Sequence, residues 1–260
     1  MVITSRKNDA VKRFREVLRD KSLRDAENIF AVEGDHLCGE LAAAGYTIIS
    51  AAVTERAQEK YPAAAKALAA NAQELAVISE DIAEYISDTK SPQGLFAVAQ
   101  KPHIPDSFSG AHRLVLLDGV QDPGNVGTMI RTAEALGFDG AILSQECADI
   151  WSPKSLRASM GSILRLPCIS RELTQTIAGL REQGFAVYGA MLDETAVRLG
   201  EVSFPEKAAA VIGSEGRGIS KETAAACDRG LYIPITGAES LNAAAAAAMI
   251  MWELSKRNAD

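Results

Sequence analysis

Residues 114–140 read L-V-L-L-D-G-V-Q-D-P-G-N-V-G-T-M-I-R-T-A-E-A-L-G-F-D-G, and this stretch decides the fold. The unbroken apolar run Leu114 to Leu117, bounded by Asp118, predicts a strand buried on both faces. Asp122, Pro123 and Gly124 predict a turn, with Asn125 in position to cap the next helix. Val126, Met129, Ile130 and Ala133 fall at helical spacing, and Gly137 stands where that helix should stop. Arg131 lies outside the apolar stripe. A strand therefore delivers an amide and a guanidinium to a sheet edge, where open α/β sheets place ligands. Taken alone, the plainer reading is a helix cap and a solvated charge.

Working outward, alternation of strands and helices continues on both sides. Toward the C-terminus the pattern predicts a helix over 126–136, a strand over 140–144 and a helix begun by Ser152 and Pro153. A helix near 173–183 and strands at 185–189 and 208–212 follow. Ser220 caps a helix to Cys227, Leu231 to Ile235 is a strand, and Leu241 to Lys256 is the closing helix. Strands alternating with helices predict a mainly parallel sheet covered on both faces. Toward the N-terminus, residues 5–20 predict a helix with Val11, Phe14 and Leu18 inward, ahead of a small α/β domain over 1–100. Residues 101–112, K-P-H-I-P-D-S-F-S-G-A-H, read as a linker before a second domain over 113–260.

Composition narrows the function classes. The 260 residues suffice for two modest cores, and 47% apolar with 23% charged residues is ordinary for a globular protein. No apolar run predicts a membrane span, and the first residues lack the long apolar core of a secretory signal. Cys38, Cys147, Cys168 and Cys227 lie far apart, so neither zinc spacing nor a compact disulfide framework is supported. No metal is expected, and the cysteines read as reduced cytoplasmic thiols. None of the three histidines is near a motif serine or cysteine, which gives no support to a Ser/His or Cys/His hydrolase. The net charge is −7, yet residues 1–24 hold eight Lys or Arg against Asp9, Glu16 and Asp20. Lys12, Arg15 and Arg19 share a helix face. With Arg6 and Lys7 they make either a solvated face or a footprint for a phosphate backbone.

Two later stretches complete the pattern. Ala208 to Gly218, A-A-A-V-I-G-S-E-G-R-G, is a buried strand ending in a loop of three glycines and Glu215. Glycines there let backbone approach a ligand closely, although a plain turn reads the same way. Leu231 to Trp252 places Ser240 and Asn242 at the mouth of a long helix. Ser240 reads as an N-cap and Asn242 as a residue of the first turn. Together, N-V-G-T-M-I-R-T-A (125–133), I-G-S-E-G-R-G (212–218) and I-P-I-T-G-A-E-S-L-N (233–242) resemble the SpoU (TrmH-type) branch of the SPOUT RNA methyltransferases. S-R-K-N (5–8), F-A-V-E-G (30–34) and S-P-Q-G-L-F-A-V (91–98) are similar to the substrate-binding domain, a ribosomal protein L30e-like α/β fold, often placed ahead of it. The sequence departs from the family in the Ala run 243–248 and in the loop Gly237 to Ser240, which is one residue short.

The resemblance implies what spacing alone does not. The second domain would be an α/β trefoil knot, and the protein a homodimer that transfers a methyl group from S-adenosylmethionine to a ribose 2′-hydroxyl of structured RNA. Ribosomal RNA is the first expectation and transfer RNA the second. The cofactor would be held at Gly189, Ala190, Met191, Gly213, Gly218, Ile233 and Leu241. Arg131 would activate the hydroxyl, with Asn125, Glu215, Ser240 and Asn242 orienting it. Arg6, Lys7, Lys12 and Arg15 would bind RNA. Two other readings stay open: a non-catalytic RNA-binding or assembly protein with a degenerate cofactor site, and an α/β enzyme acting on a small acidic metabolite.

Overall fold

The computed structural model describes residues 1–104, 108, 110–193, 195–237 and 240–256. Parts of the expected linker, and Ala238 and Glu239 of the short loop, lie outside the described residues. The chain forms two compact units, one made of Met1–His103 with Asp149–Leu164, the other of Ile104–Ala148 with Arg165–Asp260.

The first unit runs β1 (Val2–Ile3), α1 (Asp9–Arg19), α2 (Lys21–Ala26), β2 (Ile29–Glu33), α3 (Asp35–Ala43), β3 (Ile48–Thr54), α4 (Glu55–Lys60), α5 (Pro62–Asn71), β4 (Ala72–Ile78), α6 (Glu80–Ile86) and β5 (Leu95–Gln100). Its mixed sheet has the order β1-β4-β3-β5-β2, with β5 antiparallel to both neighbours. Phe14, Val17 and Leu18 of α1 pack on Ile29, Phe96 and Ile82 to make its core. The first helix is shorter than the 5–20 expected because Asp20 starts a second one. Its carboxylate accepts from the amides of Ser22 and Leu23, as an N-cap should.

The second unit begins with β6 (Arg113–Asp118), α7 (Pro123–Ala135) and β7 (Gly140–Leu143). The chain then contributes 149–164, with α8 (Pro153–Ser159), to the first unit. There Trp151 packs on Phe30 with ring centroids 4.5 Å apart, and Arg24 pairs with Asp149 at 2.6 Å. Back in the second unit follow β8 (Cys168–Ser170), α9 (Leu173–Glu182), β9 (Ala186–Ala190), β10 (Val197–Arg198), β11 (Ala208–Gly213), α10 (Lys221–Ala226), β12 (Arg229–Tyr232) and α11 (Ala243–Ser255).

Its seven strands are all parallel, in the order β10-β12-β9-β11-β6-β7-β8. Every residue of β11 is buried, as a strand covered on both faces requires. Leu173, Ile177 and Leu180 of α9 cover one face, and α7 packs with α11 over β6 and β11 on the other. The expected strand at 231–235 sits earlier, at Arg229–Tyr232, and stops before Pro234, which cannot donate to a ladder paired on both sides. Strand order reverses between β6 and β11, the position at which such sheets open a crevice at their carboxyl ends.

Candidate active site and cofactor crevice

Three side chains meet at that carboxyl edge. Asn125 enters from α7, Glu215 from the loop after β11 and Asn242 from the start of α11. Asn125 is not the helix cap that its sequence position suggested. Asp122 is, with Pro123 at N1, and its Oδ1 accepts from the Asn125 backbone amide at 2.9 Å. The Asn125 side chain is thereby left to reach across the sheet. Its Nδ2 donates to Glu215 Oε1, and its Oδ1 accepts from Asn242 Nδ2 at 3.3 Å.

Asn242 is itself a cap, not a residue of the first turn. Its Oδ1 accepts from the amides of Ala244 at 3.0 Å and Ala245 at 3.2 Å. One side chain thus closes α11 with its oxygen and joins the site with its nitrogen. Ser240 is exposed nearby in sequence and does not cap the helix.

The Glu215 loop is held by backbone. Ser214 and Gly218 exchange hydrogen bonds at 3.1 and 2.9 Å, and Asp118 at the end of β6 accepts from the Ser220 amide at 2.8 Å. A Cβ on Gly213 would lie 2.0 Å from the Gly218 carbonyl carbon, so only glycine lets the loop fold back here.

Beside this trio opens a crevice of about 540 Å³, bounded by Ala190, Met191, Leu231, Ile233, Leu241 and Ile250 among others. Four of the seven residues expected at the cofactor, Ala190, Met191, Ile233 and Leu241, line it. Gly189 is buried in β9 and leads into it; Gly213 is buried and Gly218 lines a different cavity. Apolar walls interrupted by backbone at three loop ends suit a flat adenine ring and the carbon chain beside a sulfonium, so the residues fit S-adenosylmethionine. Asp193, just beyond Leu192, sits below the usual carboxylate range because it accepts from the Thr195 hydroxyl and amide.

Arg131 is exposed on α7 and has no hydrogen bond or ion pair among the described residues. It follows Asn125 by six residues, about 9 Å along the axis and on another flank, and hydrogen-bonds to none of the three.

In the first unit the expected basic residues divide. Arg6 and Arg15 both lie on the Tyr85 ring, 4.8 and 4.5 Å from its centroid. Lys12 pairs with exposed Asp9 at 3.0 Å, a contact worth little in water. Lys7 is exposed. Tyr85 stands near the end of α6, and no motif in the sequence marks it.

Residues 112–252 match the SpoU rRNA Methylase family, and residues 8–97 match the MRM3-like substrate binding domain. The Bacillus subtilis 23S rRNA (guanosine(2553)-2'-O)-methyltransferase RlmP is 34% identical over 97% of this chain and 98% of its own. An AdoMet-bound rRNA methyltransferase from Sinorhizobium meliloti superposes with a TM-score of 0.87 at 28% identity, covering 98% of this chain and 97% of that one. The SpoU methyltransferase AviRb from Streptomyces viridochromogenes, in complex with AdoMet, gives 0.83 at 25% identity, over 96% and 97%. The α/β fold is thus that of the SpoU/TrmH methyltransferases. The chain belongs to the SpoU rRNA methylase family, as an S-adenosylmethionine-dependent RNA 2′-O-ribose methyltransferase.

Proposed function

We propose that the protein methylates one ribose 2′-hydroxyl of ribosomal RNA, working as a homodimer. The observation that carries this reading is the Glu215–Asn125–Asn242 chain of hydrogen bonds beside a crevice that fits the methyl donor. The donor supplies a methyl group already activated for transfer. The protein's task is to align the ribose oxygen and stabilise charge as its proton leaves. Glu215 and the two amides form a pre-set rail on which the sugar is oriented. Arg131 is the charge-stabilising group, its guanidinium gripping a phosphate next to the reacting sugar. An arginine does not readily give up its proton, so its role is electrostatic.

Because Arg131 hydrogen-bonds to no member of the trio of its own chain and is exposed, we assign it to the trio of a partner protomer. Exposed Met249 and Trp252 on α11, the helix packed against α7, supply an apolar face for that pairing. Arg6 and Arg15, held on Tyr85, serve as phosphate contacts in the first unit.

The test is a map of 2′-O-methyl positions in total RNA from cells with and without the gene. One ribosomal position is expected to disappear, and to return when purified protein and S-adenosylmethionine are added to the unmodified RNA. Loss of a transfer-RNA position would move the substrate, and no loss at all would end the proposal.

A further inference from the structure

Two chain segments leave the sheet side by side for the trio, and they are not held alike. β6 and β11 pair in parallel as far as Asp118 and Gly213, which stand opposite each other at the last rung. From Asp118 the chain runs on to Asn125, and from Gly213 to Glu215. Both segments border a second cavity, of about 570 Å³, at the carboxyl ends of β6, β7, β8 and β11.

The Asn125 segment is pinned along its length. The Gly119 amide donates to Ser144 Oγ at 3.0 Å, the Val120 carbonyl accepts from the Ala148 amide at 2.9 Å, and Asp122 caps α7. The Glu215 segment is tied mainly to itself. Ser214 and Gly218 bond to each other, so residues 214–218 form a closed loop, stiff within itself but free to tilt as a body against the sheet. Its tilt is set at the neck, where the chain leaves at Gly213 and returns at Ser220, the cap of α10. One side of the neck is the β6–β11 ladder. The other is a hydrogen bond from the Ser220 amide to Asp118 Oδ2, 2.8 Å long.

Asp118 therefore holds both sides of the neck, one with its backbone and the other with its side chain. The residue is only 9% exposed, and a bond to a charged acceptor shielded from water is stronger than a neutral one in solvent. Glu215 meets Asn125 through one hydrogen bond, so any tilt of its loop is felt there first.

We propose that Asp118 is a positioning residue for methyl transfer: by holding the Ser220 amide it keeps the Glu215 loop in register with Asn125, and it acts through Glu215 without touching RNA or methyl donor. The inference rests on the trio reading above. A carboxylate that served the fold alone would cost stability on removal and leave the rate of the folded enzyme unchanged.

The test is single-turnover methyl transfer by the full chain, with ribosomal RNA from cells lacking the gene and both substrates saturating. Asp118→Ala should be at least about tenfold slower, the scale of a lost hydrogen bond to a charged group. Its KM for RNA and its calorimetric affinity for S-adenosylmethionine should not change, since neither Gly213 nor Ser220 borders the cofactor crevice. Asp118→Asn should recover to within about threefold of wild type, because its amide oxygen still accepts from Ser220. Glu215→Ala should be slow by itself, and adding Asp118→Ala to it should slow it no further, since the neck then has nothing to aim. Should Asp118→Ala not fold, Ser220→Pro removes the same bond from the donor side. Ser220 has a φ of −60°, which proline adopts, and this variant should show the same loss of rate. An Asp118→Ala or, in its place, a Ser220→Pro enzyme within about twofold of wild type overturns the proposal. So do an Asp118→Asn enzyme as slow as the alanine variant and losses that multiply in the double variant. If Glu215→Ala itself turns over as wild type, the trio reading fails; if wild type methylates no ribosomal RNA, the function reading fails. The three failures are told apart.

Discussion

Asn242 does two jobs with two atoms, and substitution separates them. Asn242→Ala removes the oxygen that accepts from Ala244 and Ala245 and the nitrogen that donates to Asn125. Losing an N-cap costs about 1 kcal/mol. In a chain of this size that lowers the melting temperature by roughly 2–4 °C. Asn242→Asp keeps the capping oxygen, and its charge favours a helix N-terminus, so the melting temperature should hold or rise slightly. The donor to Asn125 is gone in both. In the Asp variant a carboxylate faces Asn125 Oδ1, and Asn125 cannot turn round, because its oxygen would then face Glu215. A lost hydrogen bond of about 1.5 kcal/mol corresponds to at least roughly tenfold in rate. Asn242→Asp should therefore be as stable as wild type by thermal scan and at least about tenfold slower in single-turnover transfer of labelled methyl. An Asp variant turning over within about twofold of wild type would show that Asn242 is only a cap, and the argument for the trio would fail.

Arg131→Ala should lose about a hundredfold or more in rate, the scale of removing one charge-stabilising donor, while calorimetric binding of S-adenosylmethionine survives. Gly213→Ala should displace the Glu215 loop and slow methyl transfer at least about tenfold, because its Cβ would collide with the backbone at Gly218 and Ile219; a wild-type rate would contradict the loop geometry. Trp252→Glu should convert the protein to a monomer in sedimentation and, if Arg131 acts across the dimer, silence it. Burial raises the pKa of every thiol, that of Cys227 to about 12, with Asp228 and Asp118 adding to it. An unfolded thiol ionises first, so this stabilisation is complete below the ordinary thiol value of 9.0 and is lost as pH rises toward about 12. Iodoacetamide at pH 8 should leave the folded protein unmodified and label all four cysteines in denaturant.

The strands and helices of the second unit were legible because each carries a period and a bounding residue: a solid apolar run for β6 and β11, Ser220 as the cap of α10. The trio was legible through its three motifs, since an amide or carboxylate just past a buried strand has little packing to do. Asn125 and Asn242 exchanged their expected local roles because a proline at N1 favours Asp122 as the cap, and the helix of alanines starts only after Asn242. The second cavity was not legible at all. Its walls come from four loops spread over about a hundred residues, and glutamines and glutamates on loops carry no pattern. Tyr85 was missed for the same reason: nothing local marks an aromatic ring as a seat for two arginines.

The excursion of Asp149–Leu164 into the first unit has a practical consequence. Cutting the chain at either family boundary would excise the first unit without Trp151 and Asp149. Phe30 would lose the ring stacked on it, and Arg24, only 4% exposed, would be stranded without its counter-ion. Losing that ion pair and the ring contact together should destabilise so small a fragment. Anyone wishing to study RNA recognition by that half in isolation must graft the sixteen-residue detour back onto it, or retain the whole protein.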